Sequence, residues 1–294
     1  MKFHIAQANR LGNRNTNQDR FEIIESDGSA LMVLADGMGG RPYGEFASQL
    51  VVDIARHLYR ETGGFIEDER DFLESVISNA HDSILELAEI ENMERTPGTT
   101  VVLALLQDDH VCLAHVGDSR FYLLRNGEVL ERTKDHSQVE ELYRKGKITQ
   151  RQVRNHPNLN QITRCVGCQD EIPEIEFSDP IPLDRGDIAL LCSDGLWGSF
   201  EDEEIAEHMG VEELPLSELT QRLASMAEQS SYPNSDNVSV ITLKIDALQR
   251  SRKPDEVRTK SDKQDGGGKL PLESAIEQLQ QVMAEYEDEI KSKR

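Results

Sequence analysis

Apolar residues follow two different spacings along this chain, and the two spacings predict strands and amphipathic helices. Short runs rich in β-branched residues and leucine are bounded by aspartate, glycine or serine, as strands that end in turns are. The clearest runs are residues 30–35, 111–116, 188–192 and 238–243. Helical spacing of three and four residues is found at 44–60, 72–90, about 201–209 and about 216–229. Strands and helices do not alternate as in βαβ units, which predicts an α+β fold with antiparallel sheets covered by helices.

The middle of the chain has a different character. Asn126-Gly127 between two β-rich runs predicts a hairpin turn. Residues 137–180 are less apolar, and we expect them to form an insertion that lies over a site. Within it, the pattern predicts a short helix over 139–146 that ends at Gly146, and another over 150–155.

The end of the chain is predicted to be separate from the rest. Residues 247–269 are polar, with a proline and three consecutive glycines, which is typical of a flexible linker. Residues 270–294 carry an apolar stripe at heptad spacing and predict an amphipathic helix. We therefore expect a folded domain over 1–246, a linker over 247–269, and a helix over 270–294 that associates with itself, with a partner or with the domain.

Four aspartates stand where apolar runs meet turns: Asp36, Asp118, Asp194 and Asp236. One Asp-Gly turn is ordinary turn chemistry. Several carboxylates held at strand ends would repel each other unless a cation lies between them, and oxygen ligands of this kind suit Mg²⁺ or Mn²⁺. The pattern therefore favours a metal site, with turn capping as the alternative for Asp194 and Asp236.

Charge and cysteine content exclude several classes of partner and of structure. The net charge is −23, and it resides in the first 246 residues because the tail is neutral. Such a surface disfavours nucleic acid and anionic lipid as partners. No apolar run approaches the roughly 20 residues needed to cross a membrane, and no secretory signal is evident, so we expect a cytoplasmic protein. The four cysteines do not suggest a disulfide framework: Cys112 and Cys192 are expected to be buried thiols, and Cys165 and Cys168 lack the partners of a zinc or redox motif.

A series of short motifs in a fixed order gives the most specific indication. In chain order they are Arg14-x-x-Asn17-Gln18-Asp19, Asp36-Gly37-Met38-Gly39-Gly40, Gly98-Thr99-Thr100, Gly117-Asp118-Ser119-Arg120, Asp135-His136-Ser137, Ile162-Thr163-Arg164, Ser193-Asp194-Gly195-Leu196-Trp197 and Asp236-Asn237-Val238. Over residues 4–246 the chain resembles the metal-dependent protein phosphatases, the type 2C serine/threonine phosphatases, in their bacterial branch. The resemblance implies a two-sheet β-sandwich flanked by helix pairs, with the metals at one edge and a mobile flap at 137–180.

The resemblance also implies roles for individual residues. Asp36 would bridge two tightly held Mn²⁺ or Mg²⁺ ions, with the Gly37 carbonyl contributing to one ion. Asp194 and Asp236 would hold the other ion. Asp118 would bind a weaker third ion, unless it is a turn residue paired with Arg120. Asp19 would orient water around the metals, as outer-shell groups do.

Arg14 is the candidate phosphate clamp, because a guanidinium matches two phosphate oxygens. A solvated surface arginine is the alternative. Gly98-Thr99-Thr100 is interpreted as packing at a strand start, and Trp197 as core.

Two departures from the better-known pattern bear on mechanism. Gln18 stands where many members have glutamate, and Met38 stands where eukaryotic members have a histidine proposed as the general acid. A thioether cannot donate a proton. His136 is a candidate for that role, although a structural role at the base of the flap is the stronger interpretation. The other histidines show no ligand spacing.

The sequence therefore predicts a metal-dependent serine/threonine protein phosphatase. Its water nucleophile would bridge two metals, and its substrates would be phosphoproteins made by a cytosolic kinase. A phosphatase of small molecules and a phosphoprotein-binding module with little turnover are the alternatives.

Overall fold

Two antiparallel sheets stacked face to face form the centre of the computed structural model, which describes residues 1–38, 43–149, 152–153, 156–211 and 213–248. The five-stranded sheet has the order β1-β11-β10-β6-β7. The other sheet has the order β2-β3-β4-β5-β8, with β9 also paired to β5. The strands are β1 (Lys2–Arg10), β2 (Asp19–Ser26), β3 (Ser29–Asp36), β4 (Val101–Gln107), β5 (His110–Val116), β6 (Arg120–Arg125), β7 (Glu128–Arg132), β8 (Glu176–Phe177), β9 (Ile181–Pro182), β10 (Ile188–Cys192) and β11 (Val238–Ala247).

Six helices lie in the described part of the chain, and five of them, all except α3, cover the outer faces of the sheets. They are α1 (Gly44–Glu61), α2 (Glu69–Ile90), α3 (Gln138–Arg144), α4 (Asp194–Trp197), α5 (Asp202–Met209) and α6 (Leu216–Ser230). Helices α1 and α2 pack on the six-stranded sheet, and α4, α5 and α6 pack on the five-stranded sheet. The α+β class and the two antiparallel sheets are therefore confirmed.

The strand β3 shows why the central runs are continuously apolar rather than alternating. Leu31 and Val33 pack among the residues of α1 and α2, whereas Met32 and Leu34 pack into the layer between the two sheets. Successive side chains of a strand point to opposite faces, and both faces are buried here. A strand covered on both sides therefore needs apolar residues at every position.

Local signals in the sequence fix several boundaries. Asp68 caps α2, where its side chain accepts a hydrogen bond from the Asp71 amide at 3.0 Å. The predicted hairpin joins β6 to β7, and both turn residues, Asn126 and Gly127, have positive φ angles of 54° and 76°. Two positive φ angles are what a two-residue turn of type I′ requires.

The insertion at 137–180 contains the predicted short helix. α3 is capped by Ser137, whose hydroxyl accepts from the Glu140 amide at 3.2 Å, and Gly146 adopts a φ of +66° just after the helix. Most of the second predicted helix, over 150–155, lies outside the described residues.

Little of the predicted tail can be compared with the structure. β11 continues to Ala247, one residue past the expected domain boundary, and the predicted helix at 270–294 lies outside the described residues. Within the described ranges, none of the helices has the length and apolar character that crossing a bilayer requires.

Candidate metal centre

Asp36 and Asp19 lie opposite each other at the ends of two paired strands. Asp36 is the last residue of β3, Asp19 is the first residue of β2, and the two are paired in the antiparallel register. The Asp19 side chain is buried and that of Asp36 is partly exposed. The pairing places one carboxylate behind the other at a single edge of the sheet.

The Asp36 backbone is fixed by two threonines. The Asp36 amide donates to Thr100 Oγ1 at 3.0 Å, and the Asp36 carbonyl accepts from the Thr100 amide at 2.9 Å and from Thr99 Oγ1 at 2.9 Å. Thr100 Oγ1 also lies 2.6 Å from Ser119 Oγ, beside Asp118. We predicted only strand packing for Gly98-Thr99-Thr100, and these hydrogen bonds add a positioning role.

Asp194 and Asp236 come from neighbouring strands of the five-stranded sheet. Asp194 opens α4 directly after β10, and Asp236 lies two residues before β11, to which β10 is paired. Asn237 ties this edge to the loop before β2, since its Oδ1 accepts from the Gln18 amide at 2.9 Å and its Nδ2 donates to the Leu11 carbonyl at 2.8 Å. The edges of the two sheets therefore converge at the aspartates.

Two glycines allow this close approach. A Cβ on Gly37 would collide with the backbone carbonyl of Gly44, and a Cβ on Gly195 would collide with the backbone carbonyl of Asn237. Each glycine follows one of the aspartates, so the Asp-Gly pairs of the sequence are packing requirements as well as turn signals.

Mutual repulsion and burial act on the whole cluster. Burial, followed by the charges of Asp19, Asp194 and Asp118, holds the pKa of Asp36 well above its usual range. Burial and the charges of Asp118 and Asp236 do the same to the pKa of Asp194. Burial also raises the pKa of Asp118 to about 7, helped by Asp135 and opposed by Arg120. A divalent cation would relieve this repulsion.

The buried Asp19 carboxylate adds a further observation in favour of a cation. Its Oδ2 accepts a 2.8 Å hydrogen bond from Ser193 Oγ, while Oδ1 is buried without a hydrogen-bond partner in the described part of the chain. Burial raises the pKa of Asp19 to about 6, although the hydrogen bond from Ser193 opposes the rise. Oxygen donors that repel one another, with one oxygen unsatisfied, fit the hard cations Mg²⁺ and Mn²⁺.

Arg14 lies at the rim of the cluster. Its Nη2 donates to Asp236 Oδ2 at 2.6 Å, and its side chain is 53% exposed. The hydrogen bond to Asp236, followed by the more distant charges of Asp194 and Asp36, raises the pKa of Arg14 against the opposing effect of burial. The structure therefore brings the predicted clamp to the predicted carboxylates.

Arg120 does not pair with Asp118, which was the alternative to a metal-binding role for that aspartate. Its guanidinium binds both carboxylate oxygens of Asp135, at 2.8 and 2.7 Å, and lies 3.9 Å above the ring of Trp197. Trp197 is buried as predicted, and its Nε1 donates to the Asp118 carbonyl at 2.8 Å. The structure therefore does not support the alternative interpretation of Asp118 as a turn residue paired with Arg120.

His136 is buried next to this loop. Its Nδ1 accepts from the Gly117 amide at 3.2 Å, and its ring stacks on that of His115 at 4.7 Å. Burial, then His115 and Arg164, lower the pKa of His136 to about 4. The ring is therefore neutral near pH 7, which agrees with a structural role.

The grouping of His115, His136 and Glu176 was missed because the residues are brought together by pairing of β5 with β8.

The cysteines agree with the expectations in part. Cys112 and Cys192 are buried free thiols, whereas Cys165 and Cys168 form a disulfide. That disulfide was not predicted, but three residues of separation bring the two Cα atoms to 5.6 Å, a usual distance for a disulfide. Cys168 Sγ lies 3.4 Å from Met38 Sδ, so the bridge borders the Asp36 turn.

Strand-end carboxylates that converge at one edge of a two-sheet sandwich form a site suited to divalent cations. The family description "Protein phosphatase 2C" matches residues 6–236, and the chain belongs to this family. The protein is a metal-dependent serine/threonine protein phosphatase that resembles the bacterial members.

Curated relatives and solved structures agree with this assignment. The chain is 33% identical over 242 residues to the serine/threonine phosphatase stp of Listeria monocytogenes, which covers 81% of this chain and 94% of that protein. It is 36% identical over 219 residues to the serine/threonine protein phosphatase PstP of Mycobacterium tuberculosis, covering 74% of this chain and 41% of that protein. A serine/threonine phosphatase of S. agalactiae superposes with a TM-score of 0.73 at 30% identity, covering 83% of this chain and 100% of that chain. The catalytic domain of PstP in complex with two manganese ions gives a TM-score of 0.69 at 31% identity, covering 83% of this chain and 99% of that chain.

Proposed function

We propose that this phosphatase hydrolyses phosphoserine and phosphothreonine in proteins by direct attack of water, without a covalent enzyme intermediate. The convergence of Asp36, Asp194 and Asp236 beside the buried Asp19 is the observation that carries the proposal. In this proposal the carboxylates hold cations and do not attack phosphorus.

Two tightly held ions fit the donor set, and we propose Mn²⁺ or Mg²⁺. Asp36 and the Gly37 carbonyl would contact one ion, with Asp36 bridging to the other, and Asp194 and Asp236 would complete the second. Asp118 and Asp194 would hold a weaker third ion. When bound, the ions would activate water and neutralise charge on the phosphoryl oxygens.

The chain's own residues would position these groups and bind the substrate. Thr99 and Thr100 hold the Asp36 backbone, and Ser193 orients Asp19. Arg14 is held by Asp236 at 2.6 Å and would turn to the phosphoryl oxygens when a cation neutralises that carboxylate. The position of the Arg14 side chain would then depend on both metal occupancy and substrate binding.

The proton for the leaving oxygen would come from water. Met38 offers no transferable proton. The lowered pKa of His136 leaves little imidazolium near pH 7. We therefore assign neither residue as the general acid.

In this proposal the domain over 1–246 carries the activity, and residues 137–180 form its flap. The enzyme would act in the cytoplasm, where it would reverse phosphorylation by a serine/threonine kinase. The tail helix over 270–294 would serve self-association or partner docking. The names of the relatives, which are serine/threonine phosphatases, support a protein substrate, and the acidic composition argues against nucleic acid and membrane partners.

The test compares phosphothreonine peptides, p-nitrophenyl phosphate and small-molecule phosphates as substrates, with Mn²⁺, Mg²⁺ or EDTA. We expect turnover of phosphopeptides that EDTA abolishes and that either ion restores. Turnover confined to small-molecule phosphates would favour the alternative that the protein is a phosphatase of small molecules. Binding of phosphopeptides without turnover in either metal would favour the binding module.

A further inference from the structure

A second group of metal-ligating side chains lies at the far end of β5 from Asp118. Glu69 is the first residue of α2, and His110 and Cys112 are alternate residues of β5 whose side chains point to one face. Glu69 Oε2 lies 2.8 Å from His110 Nε2 and 2.8 Å from Cys112 Sγ. We propose that Glu69, His110 and Cys112 bind a zinc ion that joins the start of α2 to β5, with water as the fourth ligand.

The types of donor favour zinc over the ions of the phosphatase centre. A thiolate, an imidazole and a carboxylate are the three side-chain groups that zinc binds in proteins. Mg²⁺ prefers oxygen ligands alone, as the aspartate cluster offers. The two sites should therefore select different metals from one solution.

The distances fit after a small adjustment. The three ligand atoms all lie within 4.8 Å of one another. Zinc bond lengths of roughly 2.0–2.3 Å imply tetrahedral edges of roughly 3.3–3.5 Å between ligand atoms. The atoms that are now 2.8 Å apart would need to separate by under about 1 Å. Side-chain rotations of Glu69 and His110, which are 14% and 23% exposed, can supply that movement.

A neighbouring group already orients one of the three ligands. Gln107 Nε2 donates to Glu69 Oε1 at 3.2 Å, and Gln107 is itself held by two hydrogen bonds to the Ile66 backbone, at 3.0 and 2.9 Å. The Glu69 carboxylate is therefore positioned by a residue outside the ligand set, as ligands of zinc commonly are.

Binding would require a proton to leave Cys112. The thiol is buried, and burial followed by Glu69 raises its pKa to about 12. The zinc–sulfur bond would form as the S–H bond breaks, and the proton would pass to solvent without any change in oxidation state. Zinc affinity should therefore fall as the pH is lowered.

The proposed zinc site is distinct from the aspartate cluster and from the other histidine group. Cys112 and Val116 are four residues apart on β5, which is roughly 13 Å along the strand. The group of His115, His136 and Glu176 is a weaker candidate, because Arg164 Nη1 lies 3.3 Å from His136 Nε2 and would repel a cation.

Cobalt titration of the full chain tests the proposal. Metal-stripped protein is first saturated with Mg²⁺, without reductant so that the Cys165–Cys168 disulfide is kept, and Co²⁺ is then added. We expect one Co²⁺ per chain to produce a thiolate-to-cobalt charge-transfer band that Zn²⁺ removes. Oxygen ligands cannot give this band, so the aspartate cluster does not contribute to it.

Variants identify the ligands. Cys112→Ser should abolish the band, and His110→Ala should weaken zinc binding by more than the roughly 10- to 100-fold that loss of an outer-shell partner costs. His4→Ala is the matched control, because the His4 side chain is 70% exposed on β1 and should not matter. Zn²⁺ should raise the Tm of wild type and His4→Ala but not that of His110→Ala.

Absence of the band in wild-type protein would overturn the proposal. So would a band that persists in Cys112→Ser, or zinc binding that His110→Ala leaves unchanged. If Cys112→Ser does not fold, His110→Ala decides alone, since that position is partly exposed. Phosphatase activity in Mg²⁺ is measured alongside, and its presence or absence bears on the proposed function but not on the zinc site.

Discussion

Ser193 Oγ donates a 2.8 Å hydrogen bond to Asp19 Oδ2 across 174 residues of sequence. Ser193 follows β10 in one sheet, and Asp19 opens β2 in the other, so the bond joins the two sheets behind the metal centre. The Ser193 hydroxyl also accepts from the Ser239 amide at 3.0 Å, which fixes its orientation. One hydroxyl therefore sets the position of a buried carboxylate whose second oxygen has no partner among the described residues.

Ser193→Ala should weaken both folding and metal binding. Removing the donor leaves the Asp19 carboxylate without this partner, which should cost about 1–3 kcal/mol of unfolding free energy. Loss of an outer-shell group should lower metal affinity roughly 10- to 100-fold. Urea unfolding and Mn²⁺ titration calorimetry measure the two effects. Ser217→Ala, at an exposed position of α6, is the control, and equal behaviour of the two variants would remove the role assigned to Ser193.

Asp36→Asn should separate catalysis from stability. The carboxylate is repelled by Asp19, Asp194 and Asp118, so its neutralisation should leave the metal-free Tm unchanged or higher. Turnover should fall at least about 1000-fold, because the charge that stabilises the transition state is lost with the ions. Phosphopeptide kinetics at saturating Mn²⁺ and a melting curve in EDTA are the measurements.

The exposed Asp27 provides the comparison for Asp36. Asp27→Asn should leave both turnover and Tm at wild-type values. Near-normal turnover by Asp36→Asn, or its unfolding in EDTA, would contradict the place given to Asp36.

The sequence was sufficient to locate site residues where a carboxylate stands at a predicted turn. Asp36, Asp194 and Asp236 could be located because each stands where an apolar run meets a turn. Their partners could not be, since Thr100 and Ser193 reach the aspartates only through strand register between distant segments. Register depends on packing of whole sheets, which local patterns do not reveal.

The ion pair of Arg120 shows that residues close in sequence need not be partners in the structure. Arg120 is two residues from Asp118, yet it binds Asp135, which is fifteen residues away. Asp118 lies in the turn between β5 and β6, whereas Arg120 is the first residue of β6, so the backbone changes direction between the two side chains. Proximity in sequence was therefore a poor guide to the ion pair.

Arg14→Ala should act mainly on substrate binding. A guanidinium that binds phosphoryl oxygens contributes about 1.5–3 kcal/mol, so KM should rise roughly 10- to 150-fold with a smaller change in kcat. Arg14→Lys should recover part of the loss, because lysine keeps the charge without the two-pronged geometry. Steady-state kinetics on a phosphothreonine peptide measure both. The exposed Arg222 of α6 supplies the control, and a KM in Arg14→Ala equal to that of Arg222→Ala would reduce Arg14 to a surface charge.

The metal-free protein should lose stability as the pH rises. Burial and Asp135 raise the pKa of Asp118 from 3.8 to about 7 in the folded state. Between about pH 4 and pH 7 the folded protein therefore holds a proton that the unfolded chain has released. Stability is greatest at the acidic end of that window and falls until about pH 7. Asp19, with its pKa raised to about 6, acts in the same direction, and so do Asp36 and Asp194, whose pKa values are also raised. His136 acts in the opposite direction below about pH 6.5, because its pKa is lowered to about 4 and the unfolded chain binds a proton that the folded protein does not. The carboxylates outnumber this histidine, so the net effect is a fall in stability.

Urea unfolding in EDTA across this pH range measures the effect. Asp118→Asn should flatten the pH dependence, because the amide does not titrate. Saturating Mn²⁺ should oppose the fall, since the ions bind the ionised carboxylates. A pH dependence in EDTA that is as steep in Asp118→Asn as in the wild type would show that the buried Asp118 carboxyl group is not its cause.

Removal of the tail should leave the enzyme intact. β11 ends at Ala247 and pairs along its length with β1 and over residues 240–244 with β10, so this interior strand of the five-stranded sheet is complete before the tail begins. A chain ending at Leu248 should therefore retain the wild-type Tm and the wild-type turnover of p-nitrophenyl phosphate.

An amphipathic helix of about 20 residues is marginal alone in water, so we expect the apolar stripe over 270–294 to be covered by a second copy or a partner. Sedimentation of both chains measures self-association, which should be lost with the tail if a second copy covers it. Loss of folding or of basal turnover in the shortened chain would instead place the tail within the catalytic domain.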